Sequence, residues 1–461
     1  MITTQNHLLE APTPDSLSPP IRPLGSYFFF LLIMLYLATM VCEGPLRYFL
    51  FNLYLEELLY IRELIPIIII MLVIIRLGYQ GVIVRLLVFL FIIFIFHSIV
   101  GYYYLDNYLM IAFGWKIMLS MVFGVAAYPI ISLRITSTVR YFCFFLIVAL
   151  AGVLINFFVE FPWEGLTYSI ADQVIEGVKS WHAWGIEGLV KRISGFTRAS
   201  YDAAIQLLLL GIFVLPYLKR FWIKAILWML IGVAIIMTNS KGMIVSFGCL
   251  SIFFMIFKIL PTQRDLYQKL LLYAIISACV IPLFSNFMQF GDIKDYAIFA
   301  NLASFMDRTQ STWPDAFDLV TQSGNLVLGR GMGGLGQAQA FFETHNLNPG
   351  DNIFVYAYVY FGVFSILYFY YIYHKTKTIN LNTHLQYYLI ILVAFIFGII
   401  ASVFESPFFN FFLGLALGHI IAYEASRPEE APLIPLFPWQ DPRRYAYVKA
   451  ATALNLERDL S

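Results

Sequence analysis

The sequence predicts an all-α polytopic integral membrane protein of about twelve transmembrane helices, with a large outer loop ahead of the tenth. Hydrophobic residues make up 60% of the chain and charged residues only 12%, about half the charged fraction of a soluble domain. The apolar residues fall in solid runs, unlike the alternating segments of about ten residues that a membrane barrel needs. One polar stretch, Gly291 to Gly350, interrupts that pattern, and connections of that length are usually functional.

Residues 1–25 are polar, with Pro12, Pro14, Pro19, Pro20 and Pro23. Such a stretch does not fit the n-region of a cleaved signal, so it reads as a disordered cytoplasmic tail before an uncleaved first span. A hydrocarbon core of about 30 Å needs roughly 20 apolar residues per helix. Spans are therefore expected near 26–43, 58–75, 86–103, 108–133, 140–160, 202–218, 221–238, 242–260, 269–289, 351–373, 385–404 and 408–424, a membrane domain over 26–424. Gly78 and Gly81 mark a turn after the second span, and Glu405-Ser406-Pro407 breaks the final pair. The C-terminal tail, 425–461, carries Pro428-Glu429-Glu430 and Trp439 without an assignable motif.

Lysine and arginine in short loops set orientation. With the N-terminus inside, most of the 29 fall on the inner side, and the outer minority concentrates in the two longest loops. Residues 161–201 and 290–350 are thus expected to face outward, into the periplasm of a bacterium. Both termini are then cytoplasmic and the chain lies in the inner membrane. A net charge of +1 gives no reason to invoke nucleic acid. Cys42, Cys143, Cys249 and Cys279 lie in or at the edge of apolar runs, which suggests neither a disulfide framework nor a metal site. No repeat of fixed period is visible.

The outer loops hold the candidates for chemistry. Trp163, Trp181 and Trp184 in the first suit either the interfacial belt or a platform for sugar rings. Arginine donates two parallel hydrogen bonds to a phosphate and stays charged. Arg192 and Arg308, on separate loops, could converge on one diphosphate, or pair with acids such as Glu187 and Asp315. Gly329, Gly331, Gly333, Gly334 and Gly336 would let backbone N–H groups approach an anion, though Gly-rich loops are also common turns. No Lys-Ser/Thr follows them, so this is no Walker A loop. Asp351-Asn352 sits where the tenth span begins, as a helix cap or as a carboxylate accepting a proton from a hydroxyl nucleophile. His345 is a competing base. Asn239-Ser240-Lys241-Gly242 is a tight turn whose lysine is either interfacial or a third cation at the mouth of a site.

These pieces, in this order, resemble the bacterial O-antigen polymerase (Wzy-type) and O-antigen ligase superfamily. Arg192-Ile193-Ser194-Gly195 is similar to its Arg-x-x-Gly segment, and Thr238-Asn239-Ser240-Lys241-Gly242 to its Ser-Arg/Lys-Gly turn. Arg308 with Trp313 and Gly329-Arg330-Gly331 resembles its Arg…Trp…Gly-x-Gly loop. Asp351-Asn352 followed by Gly362 matches the spacing of His-Asn…Gly in the ligases. The resemblance covers residues 192–362, and the span layout fits the whole chain.

It implies a metal-independent glycosyltransferase, without a cofactor, whose donor and acceptor are undecaprenyl-diphosphate-linked oligosaccharides. Arg192 and Arg308 would hold the diphosphate and stabilise it as it leaves, with Asp351 as base. Arg198, Lys241, Trp313, Arg330, Gly331, Gly333, His345 and Asn352 would contribute to substrate binding. A chain-length regulator and a flippase enter as candidate partners. Ligases carry His where this chain has Asp351, which favours polymerisation of O-antigen, capsule or exopolysaccharide repeats over ligation onto lipid A core or protein. The rival outside the family is a transporter or lipid-linked-sugar flippase. That class places ionisable residues along a path within the spans, often in two related halves. Away from their ends the spans hold chiefly His97 and Lys116, and the halves look unlike.

Overall fold

The computed structural model describes residues 27–78, 81–170, 173–180, 182–185, 188–287 and 303–426. The N-terminal tail and nearly all of the C-terminal one fall outside the described residues. The chain divides into a membrane unit ending at Glu424 and a C-terminal unit from Ala425.

The membrane unit is built almost wholly of helices. In chain order they are α1 (Tyr27–Val41), α2 (Glu43–Asn52), α3 (Leu64–Leu77, continuing the 3-10 turn Glu56–Glu63), α4 (Val82–Leu105), α5 (Tyr108–Leu133) and α6 (Ile135–Phe158). Then follow α7 (Ser200–Val214), α8 (Phe221–Met237), α9 (Lys241–Ile259) and α10 (Arg264–Leu283). The polar segment contributes α11 (Ala303–Asp307), α12 (Trp313–Ser323) and α13 (Gln337–Phe342). The last four are α14 (Ile353–Phe361), α15 (Phe364–Thr376), α16 (Leu381–Gly398) and α17 (Pro407–Ala425).

Each expected span overlaps helical residues, the tenth across two separate helices. Nine helices among the described residues are long and apolar enough to cross a membrane, or ten if a bent pair counts as one span. The shortfall from twelve has local causes. The first apolar run breaks at Cys42, where α1 and α2 meet at 83° just ahead of Glu43-Gly44-Pro45. The helix α8 stops at 17 residues. The tenth run is cut by Gly362, which sits at φ 58°, and a Cβ there would run into the backbone of Val327. Any side chain there would oppose both that conformation and that approach.

Burial sorts the helices into layers. Of the 18 residues of the run Ser200–Tyr217, which begins with α7, 78% are buried, as are 72% of an 18-residue stretch in each of α16 and α17, against 22% in α9. The first three form the core of the bundle. The rim turns bulky aliphatic side chains outward, such as Ile75, Ile92, Ile99 and Met255, as lipid contact requires.

Two features depart from an all-helical reading with open loops. Residues of the first long loop form two antiparallel hairpins, Thr167–Ile170 with Gln173–Glu176 and His182–Gly185 with Gly188–Lys191. The described part of the second is largely folded onto the bundle.

Candidate functional site

The polar segment turns Arg308 toward Asp351 through an irregular helix. Between α11 and α12 the backbone widens into a π-helical turn, Arg308–Thr312, a rare geometry found often at functional sites. Arg308 opens that turn. Its Nε donates to Asp351 Oδ2 at 3.0 Å, and Nη1 donates to the carbonyl of Ser304 at 3.0 Å and to Ser304 Oγ at 2.5 Å. Side-chain exposures of 20% and 32% leave both partners reachable from outside the fold.

Asp351 is free for this pairing because its neighbour does the capping. Asn352 is fully buried and accepts from the N–H groups of Phe354 and Val355 at 2.7 and 2.9 Å, closing the start of α14. Its amide also donates to Ala278 and Ile399 carbonyls. Asp351 stands outside the helix at φ 32°, after Gly350 at φ 72°.

Other charged groups gather around that pair. Arg192 is half-buried, and burial first, then Arg308, hold its guanidinium below the usual arginine range. Lys241, the first residue of α9, lies within electrostatic reach of Arg192. On the other side, burial and then Arg198 hold the Lys179 ammonium below its usual range. Arg198 also reaches the Glu176 carbonyl at 3.5 Å. Glu405, in the 3-10 turn before α17, lies within electrostatic reach of Asp351, Lys179 and Arg198, and burial is the main reason its carboxyl is pushed up to about 7. One residue on, Ser406 Oγ donates to Asp202 at 3.2 Å. Beyond Arg198 lies Glu43 at the α1–α2 bend, which takes bonds from Arg47 at 2.9 Å and Arg62 at 3.4 Å.

The structure thus brings Arg192 and Lys241 to the Arg308–Asp351 pair, links Arg198 to it only by way of Glu405, and places the other expected site residues elsewhere. Arg330 is 2% exposed and spends its donors inside the protein: on both oxygens of Glu343 at 3.1 to 3.3 Å, on the Gly334 carbonyl and on that of Ser323. Although burial opposes its charge, these bonds hold the Glu343 carboxyl below its usual range. Gly331 and Gly333, expected to cradle an anion, instead press their backbones onto α4 and α5. A Cβ at Gly331 would strike Gly101 and one at Gly333 would strike Met110, while Met332 N–H donates to the His97 carbonyl at 3.0 Å.

Trp313 is fully buried against Phe305, so it offers no face to a sugar. Trp163 stacks on Phe161 at 4.4 Å and lies beside Gly44. Trp181 and Glu187 lie outside the described residues. His345 sits in an exposed turn, Thr344–Asn346. Among the described residues no three His, Cys, Asp or Glu side chains come together to hold a metal ion.

Glu405, Asp202 and Lys179 escaped the sequence reading as site residues. Glu405 and Asp202 stand at the edges of apolar runs, where a carboxylate is costly, and that cost was the available signal. Comparison with protein-family models, with curated proteins and with solved structures returned no match.

Proposed function

We propose that this chain is an inner-membrane glycosyltransferase that polymerises oligosaccharide repeats carried on a polyprenyl diphosphate, with twelve spans, both termini in the cytoplasm and the constellation at the periplasmic face. The observation that carries this reading is the meeting of Arg308 with Asp351 beside Arg192 and Lys241, three cations and an acid from four separate parts of the chain. Arginines suit a diphosphate. A half-buried setting also strengthens their grip on the charge that grows as the diphosphate departs.

In the reaction a sugar hydroxyl of the acceptor attacks the anomeric carbon of the donor. The carbon–oxygen bond to the diphosphate breaks, and a carboxylate takes the hydroxyl proton. Arg308 is held at the surface by Asp351 and Ser304, so a diphosphate meets a guanidinium already aimed. The test is Arg308→Ala at normal protein level, with surface and secreted glycan sized on a gel. Loss of long polymer with single repeats still attached to their final acceptor supports a polymerase. Long polymer stranded on its lipid carrier means a ligase, and unchanged polymer sinks the reading.

The transporter alternative has one observation in its favour, the α1–α2 break with Glu43, Arg47 and Arg62 beside it, because broken helices often hold transported ions. Glycan that accumulates on the cytoplasmic face in a Glu43→Gln strain would favour it.

A further inference from the structure

We propose that Glu405, and not Asp351, takes the proton from the attacking hydroxyl, while Asp351 serves to position Arg308. This rests on the glycosyltransferase reading above and names the group that handles its proton.

The two carboxylates differ in how they are engaged. Asp351 Oδ2 receives Arg308 Nε, and without that contact the guanidinium would keep, among the described residues, only its bonds to Ser304. Glu405 accepts one hydrogen bond, from the Gln337 N–H to Oε1 at 3.0 Å. Among the described residues no donor reaches its other oxygen. The half-buried side chain therefore keeps one oxygen for a hydroxyl.

Its turn is braced from both sides. The Asn410 amide donates to the Phe404 carbonyl at 2.6 Å and to the Ile117 carbonyl at 3.0 Å, and Ser406 is tied to Asp202. A base held this firmly keeps its distance to a bound hydroxyl. The groups facing Glu405 are Asp351 and Tyr356 and Tyr360 around α14, Lys179 and Arg198 from the segment before α7, and Tyr201 on α7. Burial first, then the Asp351 charge, push its carboxyl up to about 7, against the pull of Lys179 and Arg198. A group that changes protonation near neutral pH suits general-base work.

The step balances. The acceptor O–H bond breaks and its proton passes to Glu405. The oxygen forms a bond to the anomeric carbon as the bond to the diphosphate breaks, and that bond's electron pair leaves with the diphosphate. Glu405 then returns the proton to water.

The test uses the purified full-length protein in proteoliposomes, with a chemically defined polyprenyl-diphosphate-linked repeat, following rate against pH. Glu405→Gln keeps an acceptor for the Gln337 N–H, and is expected to lower kcat by about a hundred-fold or more with little change in KM. Its residual rate should lose the inflection near pH 7, and Glu405→Asp should recover part of the rate together with an inflection. Asp351→Asn should raise KM for the donor and keep an inflection, moved to lower pH because the charge beside Glu405 is gone. The proposal is overturned by Glu405→Gln at wild-type kcat, or by an inflection lost in Asp351→Asn and kept in Glu405→Gln. In both of those cases an active wild type leaves the glycosyltransferase reading standing. A wild type that turns over no lipid-linked repeat removes that reading, and this proposal with it.

Discussion

Arg308 and Arg330 stand on one polar segment, carry the same guanidinium and meet the same kind of partner, a carboxylate. Arg308 holds Asp351 through one nitrogen in a setting where both side chains keep part of their surface open. Arg330 grips both oxygens of Glu343 from inside the fold, with side-chain exposures of 3% and 15%. The first arrangement leaves part of its guanidinium open to an incoming anion while the carboxylate keeps its hold. The second cannot open to one without breaking the loop that contains it. Residue type and even pairing are therefore poor guides to function here, and access to the pair decides.

The largest expected effect belongs to Arg330→Ala. Removing one partner of a buried pair costs about 3–5 kcal/mol, so this variant should be depleted from the membrane, as measured by detergent-solubilised protein recovered in monodisperse form. A well-folded but inactive Arg330→Ala would reverse the comparison. Arg308→Ala should recover at wild-type amounts with turnover lowered on the order of a hundred-fold, measured on the same preparation.

Trp313→Phe tests the packing half of the segment. Its indole N–H has no acceptor among the described residues, so the loss is one of volume, below about 3 kcal/mol, readable as a lower Tm at retained turnover. Glu405 gives a pH-dependent effect. Its carboxyl is raised to about 7, so the folded state holds the proton more tightly than the unfolded chain, and stability falls as pH rises from the ordinary carboxyl range through 7. Thermal unfolding of the wild type should therefore show a lower Tm at pH 8 than at pH 5, a difference that Glu405→Gln should reduce. The smallest effect is expected of His345→Ala, an exposed turn residue whose loss should shift stability by less than about 0.5 kcal/mol and leave turnover unchanged.

Much of the fold was legible because solid apolar runs leave a chain few choices in lipid. The breaks were harder. Gly44-Pro45 and Gly362 each interrupt an apolar run, but hydropathy averages over such residues, and only the 83° bend and the close approach to Val327 reveal their effect. The two hairpins between 167 and 191 were missed inside what reads as a loop.

The site divides in the same way. Arg308 and Asp351 were legible as separate candidates, and their pairing was not, since the sequence also offered Asp315. Gly331 and Gly333 misled because the missing side chain serves an anion cradle and a backbone packed on a helix equally well. Glu405 passed as a span breaker, because its chemistry depends on neighbours from α14 and from the segment before α7.

The central claim is that the constellation around Arg308 transfers glycan from a polyprenyl diphosphate. It is tested most directly by supplying purified wild-type and Arg308→Ala protein, at equal folded amounts in proteoliposomes, with one defined lipid-linked repeat. A ladder of products from the wild type, absent from the variant, is the predicted result. No ladder from the wild type, or an equal ladder from both, would contradict it.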